Sequence, residues 1–256
     1  MKRAIITGAS SGIGMALARE LARRGYVSAL LARRENELAR LAQELRGSVA
    51  IPCDVTDREA VFDAVRRGEE ALGGPFDLAV ANAGVSIPTS STEFDLDDAE
   101  TMIRVNVLGV MHLFAAVIPS MVARRSGRFV GVASIAGLRG LPTSAVYSAT
   151  KAAVQAFLEG SRVELIPYGV GVTIVNPGYV DTPILEKYRH KLPFLVKVTD
   201  AAAIIADGIE RGERIIEFPL PMSLLMRFAR LLSARMYDVL ATPFAKRGID
   251  MSKVRR

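Results

Sequence analysis

Thr7-Gly8-Ala9-Ser10-Ser11-Gly12-Ile13-Gly14 is the stretch whose reading decides the fold. A short apolar run, 4–7, leads into it. A helical pattern, 13–24, with Ala16, Leu17, Leu21 and Ala22 on one side, leads out of it. A strand, a glycine-rich turn and a helix therefore follow one another without a gap. Glycine lets the backbone turn tightly and come close to a bound group. The free N–H groups and positive dipole end of the helix face the turn, which suits a phosphate or pyrophosphate. The spacing is G-x-x-x-G-x-G, not G-x-G-x-x-G. An ordinary strand-to-helix loop could carry the same glycines; the place after the first strand favours a phosphate cradle.

Outward from this turn the alternation continues. Strand-like runs at 27–32, 49–53, 76–81, 128–133, 170–175 and 214–218 are separated by helical patterns at 35–45, 57–72, 98–123, 144–166 and 200–211. Apolar strands separated by helices of ten or more residues imply a parallel sheet covered on both faces. The expected fold is α/β: a single-domain Rossmann fold, a doubly wound seven-stranded parallel sheet with helices on both faces, plus a C-terminal amphipathic helical extension. No linker rich in Pro, Gly or Ser divides the chain. Residues 1–218 make the expected domain and 219–256 the extension. In such sheets ligands sit beyond the carboxyl ends of the strands, where the winding reverses.

Composition closes off several classes. Of 256 residues, 50% are hydrophobic and 23% charged, which excludes a disordered or collagen-like chain. Cys53 is the one cysteine and His112 and His190 the two histidines, so neither an internal disulfide nor a metal site is expected. That usage fits a reduced, cytoplasmic protein. The net charge of +6 suits anionic partners without choosing among them. Aromatics at 6% with no Trp are too thin for stacking on single strands, so no nucleic acid is expected as partner. The run Ala4-Ile5-Ile6 is too short for the core of a signal peptide. Residues 105–123 are long enough to span a membrane, but Asn106, His112, Pro119 and Ser120 interrupt them. A buried helix, at a subunit contact, is the better reading.

Two further places carry chemistry. After the second strand the sequence reads Leu31-Ala32-Arg33-Arg34, with no acid at the tip to take a ribose 2′-hydroxyl. A guanidinium there suits a 2′-phosphate, so NADP(H) is preferred over NAD(H). The alternative is a solvated basic turn beside Glu35. Farther on, Tyr147 and Lys151 stand four apart on one helical face. A phenol titrates near 10, and a nearby ammonium lowers that value. The pair can then exchange a proton with a carbonyl or alcohol. With 6 Tyr and 7 Lys, such a pairing arises by chance about 0.16 times. Its position after Ser134, which ends the fifth strand and can hydrogen-bond a reacting oxygen, adds the weight.

Taken together these motifs resemble the short-chain dehydrogenase/reductase family over about residues 3–218. Thr7 to Gly14 matches its glycine turn, Cys53-Asp54-Val55 the stretch after its third strand, and Asn82-Ala83-Gly84 its N-A-G motif. Asn106, Ser134, Tyr147 and Lys151 match its catalytic tetrad in order and spacing, and Pro177-Gly178 with Val180 and Thr182 the segment closing over the nicotinamide side. The resemblance implies an NAD(P)-binding catalytic domain that transfers hydride between NADPH and a carbonyl or secondary alcohol. Tyr147 is then the general acid or base. Lys151 lowers its pKa and holds the nicotinamide ribose, Ser134 polarises the substrate oxygen, and Asn106 holds a water-linked proton relay. Asp54 lies beside the adenine, and Thr182 contacts the carboxamide or phosphates. Thr7, Gly8, Ser10, Ser11, Gly12, Ile13, Gly14, Arg33, Arg34, Val55, Asn82, Ala83 and Gly84 complete the expected cofactor site.

Each residue also has a bland role. Asn106 could satisfy buried backbone, Ser134 could finish a strand, Asn82 could form a turn, and Asp54 could cap a helix, although Asp57 is the better cap. The functional alternative is a non-catalytic dinucleotide-binding sensor or scaffold. The lid at 183–196 mixes apolar and basic residues, which suits an apolar or lipid-like substrate with an anionic group, or simply docks the lid. The extension reads as one helix from Met222 to about Leu240, ended before Pro243. It has a broad apolar face and Arg227, Arg230 and Arg235 largely opposite. It is expected to pack on the domain, on a partner subunit or on the inner face of a membrane, through 219–240. A homodimer or homotetramer through 98–123 and 144–166 is the expected assembly.

Overall fold

The computed structural model describes residues 1–185 and 192–246. Seven strands run parallel in the order β3-β2-β1-β4-β5-β6-β7: β1 (Lys2–Thr7), β2 (Tyr26–Ala32), β3 (Val49–Pro52), β4 (Leu78–Ala81), β5 (Arg128–Val132), β6 (Gly171–Pro177) and β7 (Ile215–Phe218). The winding reverses between β1 and β4, which opens a crevice at their carboxyl ends. Among the described residues nine α-helices alternate with or follow the strands: α1 (Gly12–Arg23), α2 (Glu35–Glu44), α3 (Arg58–Leu72), α4 (Leu96–Ile103), α5 (Gly109–Arg124), α6 (Ala145–Leu165), α7 (Val198–Glu210), α8 (Leu220–Leu231) and α9 (Ala234–Lys246).

The period-two alternation of each strand feeds two cores. Ala4, Ile6, Leu30, Val80 and Val130 face the layer of α1, α2 and α7. Ile5, Leu31, Ala79 and Phe129 face the layer of α3, α5 and α6. Strands buried on both faces are apolar at most positions, with Ser28 and Thr173 as buried polar exceptions, which is why they read as short, nearly continuous runs. Asp57 caps α3, its side chain accepting from the Ala60 N–H, as expected. Leu96–Arg124 is long and apolar enough to cross a membrane. Here one side of it, Val110, Leu113, Val117 and Met121, packs beneath the sheet, while 39% of the apolar window as a whole is buried.

Two expectations are corrected and one is refined. The stretch 98–123 is helical throughout, but a π turn, Arg104–Leu108, sits between α4 and α5. The extra residue re-aims a side chain inward, and hydrophobic period alone does not show it. The extension is two helices, not one. Leu232 leaves α8 in an extended conformation, and Ser233 receives the Met236 N–H at the start of α9. Nor does Pro243 end the helix; it lies inside α9. At an exposed position, water can take the carbonyl that its missing N–H leaves.

Candidate active site

The glycine turn is braced from the neighbouring strand. Gly8 and Gly12 hold φ of 67° and 55°, the left-handed region that favours glycine. Thr7 Oγ1 accepts from the backbone N–H groups of Asn82 and Ala83, and Asn82 Nδ2 donates to the carbonyls of Thr7 and Gly8. A side chain at Gly14 would collide with Asn82 Nδ2 and the Gly8 carbonyl. Ser11 precedes α1 but makes no capping hydrogen bond, and no acidic residue sits in the first turn. Instead Arg34 donates to Ser10 Oγ from Nε and Nη2 at 3.1 and 2.9 Å, and to Ser11 Oγ at 2.6 Å. Uncapped helical amides beside a guanidinium fit the phosphates of a dinucleotide.

Arg33 points away, 70% exposed in its side chain, with Asp54 3.9 Å from it. Asp54 folds a local turn, accepting from the N–H and hydroxyl of Thr56. The Val55 carbonyl meets His112 Nδ1 at 2.9 Å, which gives that histidine a structural partner. Cys53 is buried and its thiol is pushed up to about 11 by desolvation, the behaviour of a small core residue.

The tetrad positions converge. Tyr147 and Lys151 share one face of α6, with Lys151 Nζ 5.7 Å from the Tyr147 ring centroid. Nζ donates to the Val132 carbonyl at 2.9 Å. Gly84 leaves the gap into which Nζ and Asn106 Oδ1 approach, each within 3.4 Å of where a Cβ would stand. Lys151 is only 4% exposed, and desolvation pulls its ammonium down to about 8. It still carries its proton at pH 7. Ser134 lies at the end of β5, its Oγ accepting from the Ala136 N–H and donating to the Pro177 carbonyl. The π turn sets Asn106 inside, where its amide accepts from Val85 N and donates to Val85 O.

Two contributors escaped the sequence reading. Thr150 Oγ1 accepts from Asn106 Nδ2 and donates to the Tyr147 carbonyl, joining the π turn to α6. Gln155 Nε2 donates to the Ser134 carbonyl and to Asn176 Oδ1. Asn176 in turn donates to Glu217, which pairs with Arg227. Gln155 is four residues beyond Lys151 on the same face, a signal that only the fold makes meaningful.

On the far side of the crevice, Gly178 N–H donates to the Phe218 carbonyl. Met222 Sδ lies close against Gly178. Val180 is buried and bridges Val196, and the Thr182 methyl abuts Gly12. The segment 177–182 therefore closes over the glycine turn. Residues 186–191 of the lid, His190 among them, lie outside the described residues, as does the tail after α9, 247–256.

Comparisons with known proteins follow this geometry. The family model for short-chain dehydrogenases matches residues 2–193. An oxidoreductase of Myxococcus xanthus is 37% identical over 244 residues, 94% of this chain and 96% of the relative. An alcohol dehydrogenase from the archaeon Thermococcus sibiricus, complexed with 5-hydroxy-NADP, is 31% identical with a TM-score of 0.77, covering 85% of this chain and 95% of its own. A Burkholderia phymatum protein of this family, in complex with NAD, is 27% identical with a TM-score of 0.81, covering 94% and 95%.

The buried lysine has a thermodynamic consequence. Its native pKa of about 8 lies below the ordinary 10.5, so at neutral pH the folded state bears a charge that burial disfavours. The cost is roughly 3 kcal/mol, present in full below pH 8 and fading as pH rises toward 10.5. Thermal unfolding of the cofactor-free Lys151→Met variant should therefore show a melting temperature several degrees above wild type at pH 7. That advantage should shrink between pH 8 and 10.5; a variant less stable at pH 7 would contradict the assignment.

Proposed function

The chain belongs to the short-chain dehydrogenase/reductase family, and on that premise we propose that it is an NADP-dependent oxidoreductase acting on an apolar, lipid-like carbonyl or secondary alcohol. The observation that carries the reading is the meeting of Tyr147, Lys151, Ser134 and Asn106 beside a braced glycine turn. A sensor or scaffold would have no use for the four together.

When bound, a nicotinamide dinucleotide supplies or accepts the hydride. The chain's own residues handle the proton. Tyr147 gives its hydroxyl proton to the carbonyl oxygen during reduction and takes it from the alcohol during oxidation. The Lys151 cation, held near the ring, favours the phenolate. Ser134 Oγ hydrogen-bonds the reacting oxygen, its alternative acceptor being the Pro177 carbonyl. Asn106 is fixed by both backbone groups of Val85, which holds its carbonyl edge at the Gly84 gap that Lys151 also approaches. The glycine turn and the start of α1 hold the pyrophosphate, with Thr182 over it.

NADP preference is supported by the absence of an acid at the β2 tip and by the Arg34 fork on Ser10 and Ser11. Arg33, with its free reach, is the second contributor. An apolar substrate is supported by Ile184, Phe194 and Leu195, which are exposed in the segment after Thr182. Assembly through 98–123 and 144–166 is supported by exposed Ile103 on α4, Leu108 in the π turn, Val163 on α6 and Ile166 just after it. A cytoplasmic setting fits the single buried thiol.

Three outcomes are expected. Tyr147→Phe should lose turnover on a panel of ketones and 3-oxoacyl compounds by at least about a hundredfold, while NADPH still binds; strong residual reduction would remove the acid–base role. Arg34→Ala should weaken NADPH about tenfold or more and leave NADH nearly unchanged, with Arg33→Ala acting in the same direction. An equal effect on both cofactors in fluorescence titration would defeat the 2′-phosphate assignment. Light scattering should give a dimer or tetramer; a monomer at all concentrations would oppose the assembly.

A further inference from the structure

The positive charge of this protein is not spread over it. Residues 1–218 hold 25 Lys and Arg against 25 Asp and Glu, while 219–256 hold eight against two. The whole net charge of +6 therefore belongs to the last 38 residues. The same segment carries an apolar face that the domain does not cover. On α8, Leu224, Phe228 and Leu231 recur at helical spacing, and on α9 Met236, Leu240 and Phe244 do so. Each of the six is more than half exposed. Exposed apolar side chains at this density mark a surface that something covers.

The two helices are held in a set orientation. On the inner side of α8, Ser223 is buried and Met222 packs on Gly178. Arg227 pairs with Glu217 at 2.9 Å. The Arg139 guanidinium lies 4.4 Å from the Tyr237 ring centroid and donates to the Arg230 carbonyl, and the Tyr237 hydroxyl donates to the Gly140 carbonyl. Among the described residues, Arg230 and Arg235 have no acidic partner.

We infer that the α8–α9 pair docks the enzyme on an anionic phospholipid surface. Such a surface answers both features at once: acyl chains accept the apolar side chains, and headgroups accept the cations. A second copy of the chain answers only one. A two-fold contact sets the same patch against itself, and here that opposes Arg230 and Arg235 to their own copies. A nucleic acid answers only the charge. The inner side of α8, opposite the docked face, reaches the candidate site through Met222 on Gly178.

The experiment is co-sedimentation of the full chain with phosphatidylcholine vesicles, with and without phosphatidylglycerol. Wild type is expected to pellet with the anionic vesicles at least about tenfold better than with neutral ones, and to lose most of that margin at about 1 M salt. Arg230→Gln with Arg235→Gln removes two cations, each worth about fivefold at such a surface, so binding should fall about 25-fold. Leu224→Ser with Phe228→Ser and Leu240→Ser should reduce pelleting to the neutral-vesicle level. Both variants should keep the wild-type melting temperature within a few degrees, since the changed side chains are exposed. Equal pelleting with both vesicle types, or unaltered binding by the serine variant, would overturn the inference. So would a dimer, seen by sedimentation velocity, that the serine variant breaks while vesicles leave the wild type in solution.

Discussion

A lysine ammonium, 4% exposed, lies beneath the carboxyl ends of β4 and β5, and much of the crevice is arranged around it. Burying that charge is unfavourable, and it is tolerated because several groups face it. The Val132 carbonyl accepts from it, the Tyr147 ring stands 5.7 Å away, and the Asn106 amide oxygen lies nearby through the opening at Gly84. The three groups belong to β5, α6 and the π turn, and the loop after β4 leaves the opening between them. A shift in any one would leave the cation less compensated. The site is therefore a shared constraint on the packing of those four elements.

The same logic explains why polar residues concentrate at the winding reversal. There β1 and β4 end side by side, and Thr7 and Asn82 exchange hydrogen bonds across the two loops. These bonds satisfy backbone groups that a strand end would leave orphaned. They also hold the glycine turn in the left-handed conformations at Gly8 and Gly12. The bland and functional readings of Asn82 thus coincide: it makes the turn by bracing the cradle. Thr150 and Gln155 do comparable work on the other side, tying α6 to the π turn and to Ser134. From Gln155 the polar chain continues through Asn176 and Glu217 to Arg227, which joins the crevice to the C-terminal helices.

How much of this was legible beforehand depends on the range of the interaction. The strand–turn–helix at Thr7 to Gly14, the seven apolar runs and the Asp57 cap are local patterns, and they lie where the periodicity put them. The Tyr147–Lys151 pairing is local too, one helical turn on one face. The π turn at Asn106 escaped because a single extra residue in a helix leaves no periodic trace. Thr150 and Gln155 escaped because their partners, Asn106, Ser134 and Asn176, are 21 to 44 positions away. The two arginines after β2 were a pair in the sequence, yet only Arg34 turns back to Ser10 and Ser11.

By itself, then, the amino-acid order determined the α/β alternation, the parallel sheet and the identity of the chemical groups, since backbone propensity and side-chain period act over a few residues. Tertiary structure alone decided which groups meet. It set a π turn into the long apolar helix at Asn106, split the extension into α8 and α9, and brought Thr182 against Gly12. The physical reason is that desolvation and hydrogen-bond satisfaction belong to the packed interior, where a lysine's charge or an amide's reach depends on neighbours far along the chain.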